Sequence, residues 1–253
     1  MDAQPFSLAG QIALITGGTR GIGYGIASEM MRAGAKVIIT GRSQEGVDDA
    51  VKQLGENAIG YVADVTEKSS HAPFIAKVES EVGPIDTLVN NAGRHGKMPS
   101  LEMDDEQFAA ILDTNLHAIF SLTKAVLPGM MKRGSGSVIN ISSMSALFGL
   151  PQVAAYSASK TALLGLTRTL ASEYSASGVR INAIAPGFIE SKMFREIMDK
   201  DPAREQKILG RTPMNRLGHA NEIGHAAVFL AADASAFISG ICLPVDGGAA
   251  IGF

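Results

Sequence analysis

The chain is poor in the features that mark secreted, membrane-bound or nucleic-acid-binding proteins. It has no tryptophan, only 6% aromatic residues, and one cysteine, Cys242, among 253 residues. A single cysteine excludes an internal disulfide, fits a reducing compartment and reads as a small core residue. No apolar run is long enough to span a bilayer, and the N-terminus lacks a basic stretch followed by a long apolar one. The expected location is the cytoplasm. Lys and Arg number 22 against 25 Asp and Glu, a net charge of -3, so no basic surplus is on hand for nucleic acid or an anionic membrane. Repeats, low-complexity tracts and linkers are also missing. With 46% hydrophobic residues, positions 1–253 read as a single domain with a full core.

What is present is a rhythm of short apolar runs separated by helical patterns. Gln11 to Thr16, Lys36 to Thr40, Ile59 to Ala63, Ile85 to Val89, Ser137 to Ile141, Arg180 to Ala185 and Ile241 to Val245 read as strands. This predicts an α/β fold, a doubly wound parallel sheet of about seven strands with helices on both faces and ligands at the strands' carboxyl ends. Asp104 to Met131 reads as one long helix, kinked near Pro128. Asn115 in its middle is a misfit, and marks either a strained helical position or a local break that binds a water. Ala155 to Ser177 and Ala220 to Ala232 are further helices. Phe188 to Gly218 is irregular and charged, with Met193, Phe194 and Met198, and is read as a substrate lid near 188–218.

The first strand runs into Gly17-Gly18-Thr19-Arg20-Gly21-Ile22-Gly23 and then a helix. Glycines let the backbone approach a phosphate, and a helix N-terminus offers free N–H groups and the positive end of a dipole. That context predicts dinucleotide binding. Where NAD-binding folds carry an acid after the second strand, this chain has Gly41 and Arg42. Arg20 and Arg42 suit a 2′-phosphate, which favours NADP(H) over NAD(H). Asp64, after the third strand, is placed either to accept a hydrogen bond from an adenine amino group or to cap the helix beginning near Glu67.

Tyr156 and Lys160 lie four apart, hence on one face of a helix. An ammonium beside a phenol favours the phenolate, although reaching neutrality from pH ~10 takes about 4 kcal/mol, more than one ammonium supplies. A tyrosine tuned in this way exchanges a proton with an alcohol or carbonyl oxygen. Ser142 and Ser143, at the end of the fifth strand, each carry a hydroxyl able to hold the same oxygen.

These parts together resemble the short-chain dehydrogenase/reductase family along the whole chain: TGGTRGIG at Thr16 to Gly23, DV at Asp64-Val65, NNAG at Asn90 to Gly93, Asn115, Ser143, YSASK at Tyr156 to Lys160 and PG at Pro186-Gly187. The resemblance implies a Rossmann-type fold and an NADP(H)-dependent oxidoreductase acting on a carbonyl or secondary alcohol. It implies Tyr156 as general acid/base, Lys160 lowering its pKa and holding the nicotinamide ribose, Ser143 polarising the substrate oxygen, and Asn115 supporting a water relay from Lys160. Family spacing puts the serine thirteen residues before the tyrosine, which selects Ser143 over Ser142. The implied cofactor contacts are Gly17, Thr19, Arg20, Gly21, Ile22, Gly23, Arg42, Asp64, Val65, Asn91, Ala92, Gly93, Tyr156, Lys160, Pro186, Gly187, Ile189 and Ser191. At Ser191 the family usually has threonine. No metal ligand is implied. A homotetramer is expected, with the Asp104 to Met131 and Ala155 to Ser177 helices at one interface.

Two branches of the family compete for the substrate. Members of the 3-oxoacyl-(acyl-carrier-protein) reductase type dock an acidic carrier through two arginines. Those positions hold Gly134 and Ser177 here, although Lys132, Arg133 and Arg180 lie nearby. The segment Arg211 to Gly218 is more similar to the gluconate 5-dehydrogenase type. Arg94, His95, Ser145 and Gln152 suit an anionic or polyhydroxylated molecule, while Met144, Leu147, Leu150 and Phe188 suit an apolar one. The expected substrate is a small ketone, keto-sugar acid or polyol, with a 3-oxoacyl carrier-protein or CoA thioester as the alternative. A catalytically silent dinucleotide sensor would have lost one of the four catalytic residues, and all are present.

Overall fold

The computed structural model describes residues 5–191 and 202–252, without the side chains of 202–204. Seven parallel strands form one sheet in the order β3-β2-β1-β4-β5-β6-β7. They are β1 Ile12–Ile15, β2 Lys36–Gly41, β3 Ala58–Val62, β4 Thr87–Asn90, β5 Gly136–Ile141, β6 Val179–Pro186 and β7 Cys242–Val245. Strand bounds differ from the sequence reading by a residue or two.

Neighbouring residues of each strand face opposite sides of a sheet, so both sides need a core. Ile15, Ile39, Val89, Ile139 and Ile184 meet α1 (Gly21–Arg32), α2 (Gln44–Leu54) and a late helix, Ala220–Ala231, on one side. Leu14, Ile38, Leu88, Val138 and Ile181 meet α3 (His71–Glu81) and two longer helices on the other. This two-sided burial is why the strands read as near-continuous apolar runs.

The helix expected over Asp104 to Met131 is divided. After α4 (Asp105–Leu112) comes a π turn, Asp113–His117, and then α5 (Ala118–Arg133). Asn115 lies inside that turn, fully buried. Asp104 and Gln107 form a capping box at the start of α4, and Gly134 in the left-handed region closes α5. The tyrosine helix, α6, runs Ala154–Tyr174.

The described part of the lid region is partly helical, against the irregular reading of its sequence. It contains α7, Pro202–Arg211, and is followed by α8, Ala220–Ala231. Its two ends are tied by Gly218 N donating to Phe188 O (2.9 Å) and Glu190 N donating to Gly218 O (2.8 Å). Phe188 and Leu209 pack on Ile208 and Leu217. Met193, Phe194 and Met198 lie outside the described residues.

Candidate active site

The glycine loop turns the chain from the carboxyl end of β1 into α1. Gly17 (φ 64°) and Gly21 (φ 56°) adopt backbone conformations that side chains disfavour. A Cβ on Gly23 would lie 2.3 Å from Gly17 O and 2.5 Å from Asn91 Nδ2, so the first turn of α1 can close on the strand end only with glycine. Arg20, the N-cap, provides no side-chain cap, and no acid stands in the first turn. The leading N–H groups of α1 therefore face outward with a positive dipole end and no carboxylate competing for them. The side chains of Arg20 and Arg42 are exposed. This cradle fits a pyrophosphate with a 2′-phosphate beside it.

Asp64 does not cap the helix that follows it. Its Oδ1 accepts from Thr66 N (2.9 Å) and Thr66 Oγ1 (2.8 Å), so it closes a local turn; the 3-10 turn that leads into α3 has Glu67 at its N-cap with no side-chain bond. Those two bonds, with a smaller contribution from Arg42, hold its carboxyl below the usual carboxylate range.

Asn91, expected to line the cofactor channel, also ties β4 to the glycine loop. Its Nδ2 donates to Thr16 O (2.9 Å) and Gly17 O (3.0 Å), while Thr16 Oγ1 accepts from Asn91 N and Ala92 N (3.0 Å each). Sequence reasoning gave Thr16 no role; its place at the end of β1, facing NNAG across the sheet, is the signal that was available. Asn90 belongs to a buried polar row, Thr123–Asn90–Asn140–Thr167, that crosses β4 and β5.

At the carboxyl end of β5 the two serines separate. Ser142 Oγ donates to Lys160 O (3.0 Å), which commits it to α6. Ser143 Oγ accepts from Ser145 N (3.1 Å) and stands near enough to the Tyr156 hydroxyl to lower its pKa. Lys160 is buried one turn on; its Nζ donates to Ile141 O (2.7 Å) and lies 5.7 Å from the centre of the Tyr156 ring. The expectation that Lys160 lowers the tyrosine pKa is not met in the chain by itself. Tyr156 keeps some accessible surface, yet the dense protein around it raises its pKa, with Ser143 pulling the other way. Burial also weakens the lysine's own charge, bringing its pKa down to about 8. The lysine gives its hydrogen bond to a backbone carbonyl rather than to the phenol.

Asn115 makes direct hydrogen bonds that tie two parts of the site together. Its side chain accepts from Arg94 N (2.7 Å) and donates to Arg94 O (2.9 Å) and Ser159 Oγ (3.0 Å). Ser159 Oγ in turn donates to Tyr156 O (2.7 Å). The amide thus clasps the segment after NNAG to the tyrosine helix, and its hydrogen bonds do not reach Lys160. Gly93 is the shared neighbour: a Cβ there would lie 3.2 Å from Asn115 Oδ1 and 3.6 Å from Lys160 Nζ.

The expected substrate residues fall into two groups. His95 lays its ring against Tyr156, centroids 4.6 Å apart. Arg94, exposed, precedes it, and Met98 N donates to Gln152 O (2.9 Å), joining this segment to the loop ahead of α6. Gln152 has φ 67°, a left-handed conformation that costs a non-glycine residue about 1 kcal/mol. Ser145 is buried and its Oγ has no partner. Phe188 belongs elsewhere, with Ile189, Met214 and Asp246 around a cavity of about 370 Å³ at the carboxyl ends of β6 and β7. Gly187 must be glycine there, since a Cβ would lie 2.6 Å from Asp246 Cα. Pro186 ends β6, Ile189 pairs with Gly218, and Ser191 is the last described residue before 202.

The sheet order, glycine cradle and Ser–Tyr–Lys cluster define an oxidoreductase of the Rossmann type, and the chain belongs to the short-chain dehydrogenase/reductase family. A family model described as enoyl-(acyl carrier protein) reductase matches residues 17–250. The 3-oxoacyl-(acyl-carrier-protein) reductase FabG of Escherichia coli is 41% identical over 239 residues, 94% of this chain and 97% of that protein. Among solved structures, a gluconate 5-dehydrogenase from Burkholderia cenocepacia in complex with NADP and tartrate superposes with a TM-score of 0.92 at 35% identity, covering 97% of each chain. A Beutenbergia cavernae protein, assigned provisionally as an NAD(P)-dependent gluconate 5-dehydrogenase with NADP bound at low occupancy, gives 0.91 at 38%, covering 96% and 98%. Among the described residues, no helix is long and apolar enough to cross a membrane.

Proposed function

We propose that this protein is an NADP(H)-dependent oxidoreductase that interconverts a small polar ketone and its secondary alcohol, with a keto-sugar acid or polyol as the favoured substrate class. The observation that carries the reading is Ser143, at the end of β5, standing beside the Tyr156 hydroxyl on α6, with Lys160 buried one turn along the same helix. When bound, the nicotinamide supplies or accepts the hydride. In reduction Ser143 donates a hydrogen bond to the carbonyl oxygen, and Tyr156 gives that oxygen its proton as the hydride reaches the carbon. Lys160 is positioned to favour the phenolate that remains. In oxidation the same groups run in reverse.

Gly17, Thr19, Arg20, Gly21, Ile22 and Gly23 hold the pyrophosphate, and Arg42 with Arg20 holds the 2′-phosphate. Asp64 and Val65 meet the adenine, Asn91, Ala92 and Gly93 the adenosine ribose, and Pro186, Gly187, Ile189 and Ser191 the nicotinamide. The bound NADP in the two gluconate 5-dehydrogenase neighbours supports this choice of cofactor.

The electrostatics disfavour an acidic carrier. Besides Gly134 and Ser177 at the two docking positions, the nearby arginines are engaged. Arg180 donates to Leu230 O, Ala231 O, Ala232 O and Ser235 Oγ, capping the end of α8, while Arg133 donates to Ile85 O (2.6 Å). Arg94, His95, Ser145 and Gln152 give the region around Tyr156 a polar character, and tartrate in the Burkholderia structure is a ligand of matching chemistry. The 41% identity to FabG keeps a 3-oxoacyl thioester as the second reading. The test is a panel of ketones, keto-sugar acids and 3-oxoacyl thioesters followed by NADPH absorbance. A kcat/KM highest on a thioester would move the protein to the carrier branch; no turnover of any carbonyl would refute the enzyme.

The reading includes a homotetramer in the cytoplasm. Exposed Phe108, Phe120 and Met131 on α4 and α5 support an interface there, and the lone cysteine supports a reducing compartment.

A further inference from the structure

The connection from β3 to α3 contains a buried histidine that the proposed chemistry does not use. His71, the first residue of α3, is 5% exposed. Its Nε2 lies 3.1 Å from Val65 O and its Nδ1 3.0 Å from Ser121 Oγ on α5. A carbonyl oxygen can only accept, so Nε2 carries the hydrogen, and Nδ1 accepts from the Ser121 hydroxyl. Burial holds the ring's pKa below its ordinary value; Val65 O pulls the other way, and the charge on Lys68 adds to the burial. The neutral ring satisfies both partners, and burial favours it over the charged one.

The consequence appears one peptide unit further along. The carbonyl of the Val65–Thr66 peptide is held by His71, and its N–H is donated to Asp64 Oδ1. Both polar ends of that unit are engaged, so its plane cannot turn without breaking the bond that orients the Asp64 carboxylate. Lys68 pairs with Asp113, at the start of the π turn, and fastens the same connection to the α4–α5 arm a second time. An apolar residue could fill the space of His71 but would take from the half-buried Val65 O the donor that holds it.

We propose that His71 is a positioning residue for the adenine end of the cofactor site: it orients the Val65–Thr66 peptide and through it Asp64. This rests on the assignment of Asp64 and Val65 to the adenine under the proposed function. The test compares wild type, His71→Leu and His71→Gln for the Kd of NADPH, by its fluorescence, and of 2′,5′-ADP, which carries the adenine without the nicotinamide. The leucine variant should weaken both ligands by the same factor, about tenfold. Its kcat at saturating NADPH should stay within about twofold of wild type, since Tyr156 is untouched. Glutamine, whose amide can donate to Val65 O, should restore most of both affinities. Unchanged affinities in His71→Leu, or a fall in kcat without a change in Kd, would overturn the proposal. Should the leucine variant fail to fold, Ser121→Ala decides: it releases the ring's tautomer, and it too must weaken both ligands. A wild type that binds neither ligand would instead refute the cofactor assignment itself, and the proposal with it.

Discussion

Tyr156→Phe is the most informative single change. It removes one oxygen from a largely enclosed ring whose hydroxyl stands beside Ser143. Any polar contact of the phenol that is lost costs about 1 kcal/mol, but the phenol also no longer has to be desolvated, and Ser143 keeps its bond from Ser145 N. The fold should therefore stay within about 1 kcal/mol of wild type. The chemical step loses its proton donor, which is worth about 10²- to 10⁴-fold, or roughly 3–5 kcal/mol of barrier. The assay is initial-rate NADPH oxidation on the best ketone of the panel, with melting temperature and the Kd of NADPH measured in parallel. The expected pattern is an unchanged melting curve, an unchanged Kd and a kcat lower by at least about a hundredfold. A variant that turns over within about tenfold of wild type would show that another group protonates the oxygen.

Three further outcomes are expected. Arg42→Ala should weaken NADPH far more than NADH, measured as the ratio of the two KM values, because only the 2′-phosphate loses a partner; equal losses would remove the case for NADP(H). The folded-state pKa of Lys160, about 8 against 10.5 unfolded, means that the unfolded chain binds more protons between those values, so stability rises with pH across that window. Wild type should gain on Lys160→Met between pH 8 and 10.5 by about 3 kcal/mol in total, read by denaturant melts; a gap constant with pH would mean that the buried ammonium is not destabilised. Light scattering should give a tetramer's mass, and a stable monomer at micromolar concentration would remove the interface assigned to α4, α5 and α6.

The fold was legible in the sequence because a parallel sheet covered on both faces writes itself as apolar runs, and because Gly17, Gly21 and Gly23 stand where a side chain is disfavoured or excluded. The choice between Ser142 and Ser143 came from family spacing, and the geometry separates them by what each hydroxyl touches. Four features were not legible. A π turn has the composition of the helix around it, so Asn115 looked like a misfit within one continuous helix. α7 was hidden because Pro202–Arg211 has a polar composition that also suits a surface loop. The balance of charge and burial at Tyr156 depends on where Lys160 Nζ points, and a spacing of four residues does not specify that. Arg180 is similar: a cation near a docking position in sequence is a helix cap in space.

The clasp made by Asn115 bears on how its variants should be read. One carboxamide holds the peptide at Arg94 from both sides and reaches Ser159, which grips the carbonyl of Tyr156. Replacing it would let two walls of the reaction chamber slip against each other, with His95 on one and the phenol on the other. A crippled Asn115→Leu enzyme would thus report lost alignment before it reported anything about how protons travel, and solvent isotope effects rather than bare rates are needed to tell the two apart.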